Sequence, residues 1–572
     1  MKGYQFEDTQ GTFHLKKAEN ISYLYFPIAG EAGLKSSFTP NLGGDAKIDQ
    51  NTFLLEPVSA ENLVNNRNSR NFWCNVKGIG SWSLTGHSAE ELSKKFTEMQ
   101  DDSEVTAGFM WQKTTRESKK YQLRGEILSF IPVDKNVEIM LVTITNTGRM
   151  AQTVTPTAAI PLYGRSADNI RDHRHVTSLL HRIETTDTGV LVTPTLSFDE
   201  RGHQVNHMTY YCVGWSGNGE KPVDFYPTAE DFVGEGGNFE RPYAIVKNAE
   251  GVKAGTKIEG LEAVGGLHFS EITLEPEEEC SYLIFTGITE DIQEIRNLSK
   301  TYTTREKELE ELEKTKAYWQ EKVNVAYHTG DSDFNQFMHW VSFQPILRRI
   351  YGCSFLPHHD YGKGGRGWRD LWQDCLALLI MEPSVVRQMI VDNYGGVRMD
   401  GTNATIIGSR QGEFIADRNN ITRVWMDHAF WPFGTTKLYI DQTGDIEILF
   451  EKITYFKDLQ SRRGTAHDTK WGVNCGKCQR TKAGEIYFGS MLEHILLQNL
   501  CAFYDVGEHN ELKLHGADWN DALDMAWEKG ESVAFTCAYA GNLKDIADCL
   551  KHMEECLDLP MGKKKMVQCF PI

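Results

Sequence analysis

The feature that most restricts what this chain can fold into is a change of period near residue 290. Before it, apolar residues come in short β-branched and aromatic runs: VEIMLVTITNTG (Val137 to Gly148), GVLVTPTLSF (Gly189 to Phe198) and CSYLIFTGIT (Cys280 to Thr289), bounded by turn formers. Many short strands with frequent turns fold as an antiparallel β-sandwich. After it, FNQFMHWVSFQPILRRIY, DLWQDCLALLIM, ILFEKITYFKDL and MLEHILLQNLCAFYDV carry apolar residues at helical spacing. Between them DIQEIRNLSKTYTTREKELEELEKTKAYWQEKV, strongly charged with few turn formers, reads as a solvated helix joining two domains; a partner-binding coiled coil is the alternative, but no apolar heptad is sustained over it. The expectation is a multidomain β + α protein: a sandwich over 1–290, a helical linker over 291–330 and a helical domain over 331–572.

Charge narrows the partners. Lys plus Arg is 60 against 79 for Asp plus Glu, a formal charge of −19 spread over 572 residues, which disfavours nucleic acid or an anionic membrane. No apolar run approaches the roughly 18 to 20 residues of a membrane span, and MKGYQFEDTQG has no signal-peptide core, so a soluble, cytoplasmic protein is expected. Of 12 cysteines, Cys475 and Cys478 alone have metal-ligand spacing. Zinc takes four ligands and no second pair of suitable spacing follows, so neither a metal nor another cofactor is expected.

The densest chemistry lies in HGADWNDALD, His515 to Asp524. Asp518, Asp521 and Asp524 recur every three residues, which puts them on neighbouring turns of one face if a helix begins here. An Asp before an apolar stretch often only caps a helix, but capping does not account for Trp519 beside Asn520 and a further acid at Asp521. An indole next to carboxylates suits a sugar, whose C–H face stacks on the ring while its hydroxyls bond to the acids. In PHHDYGKGGRGWRDLWQD four glycines surround Arg366 and are followed by Arg369, Asp370 and Asp374. The segment lacks the Gly-Lys-Ser/Thr ending of a phosphate loop, and adjacent His358 and His359 seldom converge on one ion. It reads instead as a loop presenting a guanidinium and a carboxylate to sugar hydroxyls, before a helix that starts near Asp370. A third mixture of acids, Arg and Trp, ADRNNITRVWMDHAFW with Asp427 in it, also precedes a helix. Three such clusters fit loops at one end of an α/α barrel, surrounding a sugar pocket.

RGWRDLWQD (Arg366 to Asp374) and GEHNELKLHGADWNDALD (Gly507 to Asp524) resemble two characteristic segments of glycoside hydrolase family 94, the second being its G-E-H…G-D-W-N-D segment. The early stretch FPIAGEAGLKSSFTPNLGGDAKIDQNTFLLEP is similar to the amino-terminal region of some bacterial members. The resemblance implies an amino-terminal β-sandwich, a helical linker, an (α/α)6 barrel and a small carboxy-terminal β domain. It implies phosphorolysis of a β-linked gluco-disaccharide or oligosaccharide, with inorganic phosphate as co-substrate. Asp521 would be the general acid, while Trp519, Arg366 and Asp370 would hold the glucosyl unit; Asp518 and Asp427 join them as substrate-binding candidates. Family members are often dimers, so a homodimer is compatible with the resemblance. Ala517 and Ala522 stand where many members carry Gly.

Phosphate is itself an anionic nucleophile, so a phosphorylase can work with one carboxylic acid where an inverting hydrolase needs two. An inverting hydrolase on the same scaffold, or an inactive sugar-binding chain, are the competing readings. About 240 residues follow residue 330, whereas six helix pairs with loops need roughly 350. The expectation is a partial chain with an incomplete barrel, whose phosphate-binding residues lie beyond residue 572.

Overall fold

The computed structural model describes residues 3–21, 24–59, 62–64, 68–167, 169, 174–199, 202–352, 366–408, 412–415, 424–515 and 521–556, a few of them, Asp521 and Asp524 included, by backbone alone. The chain divides into two compact units, Met1–Lys363 and Gly364–Ile572.

The first unit is built on an 11-stranded antiparallel sheet. Its central strands are Leu123–Phe130, Val137–Asn146, Glu279–Thr289 and Thr209–Ser216, with Met140 opposite Ser129 on one side and Ile284 on the other. All ten residues of Val137–Asn146 are buried, which explains why this stretch lacks apolar/polar alternation: both of its faces are covered. Met140, Val142 and Ile144 share a core with Phe72, Cys74, Ala158 and Ile160 of a six-stranded sheet. On the opposite face, Ile139 and Leu141 share a core with Leu283 and Phe285 beneath helical residues Ile295, Leu298 and Leu312. Each such side chain taken from water contributes about 1.5–3 kcal/mol. GVLVTPTLSF forms two strands rather than one, Gly189–Val192 in the large sheet and Leu196–Asp199 in a separate hairpin. Pro194, which has no N–H to give to a ladder, lies at the break.

The charged stretch is likewise two helices, α1 (Ile292–Thr301) and α2 (Arg305–Lys322). The break is fixed by Tyr302, which is buried and whose carbonyl accepts a 3.0 Å hydrogen bond from Trp215 Nε1. Helix α2 is solvated on one side only: Glu308, Leu312, Thr315 and Trp319, spaced by four, three and four residues, are buried. Helix α3 (Ser332–Tyr351) is capped by Asp331, whose carboxylate accepts from Phe334 N at 3.1 Å. It packs on the sheet unit through Trp340, edge-on to Phe13 and Phe109, and through Tyr351, whose hydroxyl lies 2.6 Å from Ser36 O.

In the second unit the helices are α4 (Trp368–Leu378), α5 (Pro383–Tyr394), α6 (Phe430–Thr443), α7 (Met491–Ala502) and α8 (Val533–Cys556). Trp368, Trp372 and Tyr394 form an edge-to-face chain joining α4 to α5. Thr435 Oγ1 on α6 donates to Trp372 O at 3.1 Å. The stretch ILFEKITYFKDL is not a helix. Gly444, at φ +73°, ends α6; a 3-10 turn (Ile446–Phe450) follows, and then a strand, Lys452–Thr454, paired with Phe488–Ser490. The apolar spacing there is compatible with a helix, but the β-branched and aromatic Ile453, Thr454 and Tyr455 favour the strand. Among the described residues no helix is long and apolar enough to cross a membrane.

Candidate active site

Arg366 and Gly367 form one strand of a three-stranded ribbon with Ile406–Ile407 and Phe414–Ile415, and α4 starts at the next residue, Trp368. Asp370 therefore sits in the first helical turn, where free N–H groups favour a carboxylate. Its carboxylate folds back over Gly367: a Cβ there would lie 2.1 Å from Asp370 Oδ2. The glycine at this position leaves the space the carboxylate occupies. Arg366 and Asp370, two of the predicted sugar-binding residues, are thus placed at one strand–helix junction.

Asp427, a third, is placed differently. It is 8% exposed and ion-paired at 2.5 Å with Arg369 Nε, the neighbour of Asp370. Its Oδ2 also accepts from Trp431 Nε1 at 3.1 Å, while the buried Oδ1 has no hydrogen-bond partner among the described residues. Burial raises the Asp427 pKa, and Arg369 offsets only part of that rise. The Trp368 indole donates to His428 O at 2.8 Å and ties α4 to the same segment. His428 is buried against Trp425, rings stacked at 6°, and burial together with Arg369 pushes its pKa down to about 3. The ring is neutral at ordinary pH, so Nδ1 accepts from Asn403 Nδ2 at 3.1 Å.

The segment carrying the predicted acid is held at both ends. Leu512–Lys513, before it in sequence, pairs antiparallel with Glu531–Ser532, after it. The Glu531 carboxylate accepts from the backbone N–H of His509 and of Glu511, each at 3.1 Å, and fastens the preceding turn. Gly507 makes room for it, since a Cβ there would meet the Glu531 side chain at 2.2 Å. His515 has φ +45° and pairs with Asp505 at 2.9 Å; burial lowers its pKa. Backbone from Asp521 to Ala526 forms a 3-10 helix. Asp518 and Trp519 lie outside the described residues, as do the side chains of Asp521 and Asp524, the pair His358–His359, and residues 416–423 of the third cluster.

Sequence reading missed a pocket in this unit. It is lined by Trp425, Asn403, Arg463, Gln498, His515 and Tyr539, among others, and has a volume of about 30 Å³. These residues are drawn from widely separated parts of the chain, and no local pattern joins them. Among the described residues no group of three or more His, Cys, Asp or Glu is arranged to hold a metal ion.

Two family models match the chain: glycosyl hydrolase 94, supersandwich domain, over residues 56–305, and glycosyl hydrolase 94 superfamily, catalytic domain, over 318–468. The second match contains Arg366, Asp370 and Asp427; Asp521 lies beyond it. Among curated relatives, the cyclic beta-(1,2)-glucan synthase NdvB of Rhizobium meliloti (strain 1021) is 24% identical over 58% of this chain and 11% of its own. Solabiose phosphorylase of Paenibacillus borealis is 22% identical over 74% of this chain and 48% of its own. The 3-O-beta-D-glucopyranosyl-beta-D-glucuronide phosphorylase of Paenibacillus borealis is 21% identical with the same coverage. The chain thus spans about half the length of the two phosphorylases. With a supersandwich domain followed by a helical catalytic domain, the chain belongs to glycoside hydrolase family 94.

Proposed function

We propose that the protein carries out reversible, inverting phosphorolysis of a β-linked gluco-disaccharide or oligosaccharide, releasing α-glucose 1-phosphate and a shortened sugar. The observation that carries this reading is the pair of segments RGWRDLWQD and HGADWNDALD within a family 94 chain. Two of its relatives are named phosphorylases, and two have names that specify β-linked glucose.

In the proposed step, phosphate oxygen attacks the anomeric carbon as the glycosidic C–O bond breaks on the opposite face. Asp521 gives its proton to the departing oxygen and regains one from solvent before the next cycle. Arg366 and Asp370 bind hydroxyls of the glucosyl unit, Trp519 stacks on its C–H face, and Asp518 raises the pKa of Asp521 by like charge. Asp427 acts through Arg369, whose position next to Asp370 it fixes. Phosphate is a co-substrate, and the chemistry calls for no cofactor. A cytoplasmic protein, with sugar and phosphate as partners, is the setting proposed.

The test is to incubate the chain with cellobiose, laminaribiose or sophorose, with and without phosphate, and to follow sugar phosphate by ³¹P NMR. Strict phosphate dependence with α-glucose 1-phosphate as product supports the reading. Sugar release in phosphate-free buffer contradicts it in favour of a hydrolase. Calorimetric sugar binding without turnover contradicts it in favour of a binding protein.

A further inference from the structure

Gln498, on α7, is fully buried, and neither Oε1 nor Nε2 of its carboxamide has a hydrogen-bond partner among the described residues. It lines the pocket of about 30 Å³ described above, and so does Arg463, whose buried Nε has no hydrogen-bond partner among the described residues either. Asp505 Oδ2 lies 3.9 Å from that Nε, beyond hydrogen-bond reach. The guanidinium is otherwise tethered through Nη1, which donates to Asp400 O at 3.2 Å. Elsewhere the buried amides around this pocket are satisfied. Asn403 Nδ2 donates to Ala404 O and His428 Nδ1, and Asn542 Nδ2 donates to Asn499 Oδ1 and Phe430 O. A carboxamide left open at both ends inside such a network calls for a guest.

The open groups define the guest's chemistry. Gln498 Oε1 needs a donor, whereas Gln498 Nε2 and Arg463 Nε need acceptors. A carboxylate or phosphate leaves Oε1 unpaired, and an ammonium leaves both N–H groups unpaired. A hydroxyl donates once and accepts twice, and the volume suits one group of that size.

We propose that Gln498, with Arg463, forms a hydroxyl-binding site in this pocket, filled by a sugar hydroxyl when ligand is present and by water otherwise. The site rests on the carbohydrate reading only for the identity of its guest.

The test is a crystal structure of the chain at roughly 1.5 Å, where ordered oxygens are visible, ligand-free and soaked in cellobiose. An oxygen within hydrogen-bond distance of both Gln498 Oε1 and Nε2 is expected in each. A sugar oxygen after soaking, or a water that persists, supports the site and identifies which of the two supplies the hydroxyl. An empty pocket, or a Gln498 turned to bond protein groups, overturns it. Gln498→Leu is expected to lose that oxygen and, where the guest is sugar, to weaken cellobiose binding about tenfold by calorimetry. Turnover plays no part in the crystallographic readout, so absence of phosphorolysis leaves this site standing, and an empty pocket leaves the phosphorolysis reading standing.

Discussion

Arg70–Glu138 in the sheet unit and Arg369–Asp427 in the helical unit are the same two functional groups, buried alike and completed differently. Glu138 takes Arg70 on both carboxylate oxygens and Ser36 Oγ as well, and the remaining guanidinium N–H groups reach the carbonyls of Leu42, Gly44 and Asp45. Asp427 keeps one oxygen without a partner among the described residues, and its pKa is raised. A fully satisfied buried network fixes a fold, whereas an incomplete one leaves groups available to something else. The contrast has a limit inside the sheet unit. Glu308 on α2 is buried with both oxygens unpartnered among the described residues, yet it does not line the pocket that Gln498 lines. An orphaned carboxyl alone is therefore not a site; Gln498 differs by lining a pocket.

The largest expected effect comes from breaking the completed pair. Arg70→Met strands the Glu138 carboxylate and should cost about 3–5 kcal/mol of unfolding free energy in urea titrations. Arg369→Met should cost less, about 1–3 kcal/mol, because Asp427 can take up a proton in compensation. Equal losses would erase the distinction between the two pairs.

Glu308 gives an effect of intermediate size and opposite sign. Burial pushes its pKa well above the ordinary 4.5. Below pH 4.5 the carboxyl is protonated in both folded and unfolded chains. As pH rises beyond that, the unfolded chain releases the proton while the folded chain retains it, so stability falls until the folded pKa is reached. Glu308→Gln should match the parent at pH 4 and exceed it by about 1–2 kcal/mol at neutral pH. A pH-independent difference between the two proteins would show that Glu308 finds a partner.

The smallest stability effect, with a larger functional one, is expected at the strand–helix junction. Gly367 has φ −60° and ψ 143°, which alanine adopts without strain. Gly367→Ala should shift unfolding by less than about 1 kcal/mol, while the added methyl displaces the Asp370 carboxylate. Sugar affinity falling with no change in melting would confirm that the glycine serves the carboxylate rather than the fold.

Much of the first unit was legible in the sequence because its longest strands are coated on both faces. Val137–Asn146 and Glu279–Thr289 announce themselves as β-branched and aromatic runs, and the shift to helices follows the period. Two errors had local causes that apolar spacing does not weigh: Pro194, which splits a run of apolar residues, and Gly444, which ends a helix before Ile446. The pairing of α2 with the sheet was hidden because Leu312 and Trp319 are isolated in a charged stretch, and only burial shows that they share a face. In the helical unit, Arg366 and Asp370 lie four residues apart in one segment and so could be read as a unit. Asn403, Arg463, Gln498 and His515 meet only through tertiary packing, and a single sequence carries no mark of that meeting.

The central claim is that Asp521 delivers the proton to the departing sugar oxygen. The most direct measurement compares Asp521→Asn with the parent on cellobiose and on 2,4-dinitrophenyl β-glucoside, both with phosphate present. A dinitrophenolate leaves without protonation, so loss of a general acid should lower kcat/KM on cellobiose by about 10²–10⁴-fold and leave the aryl glucoside nearly unchanged. An equal loss on both substrates, or an active Asn variant on cellobiose, would contradict the assignment.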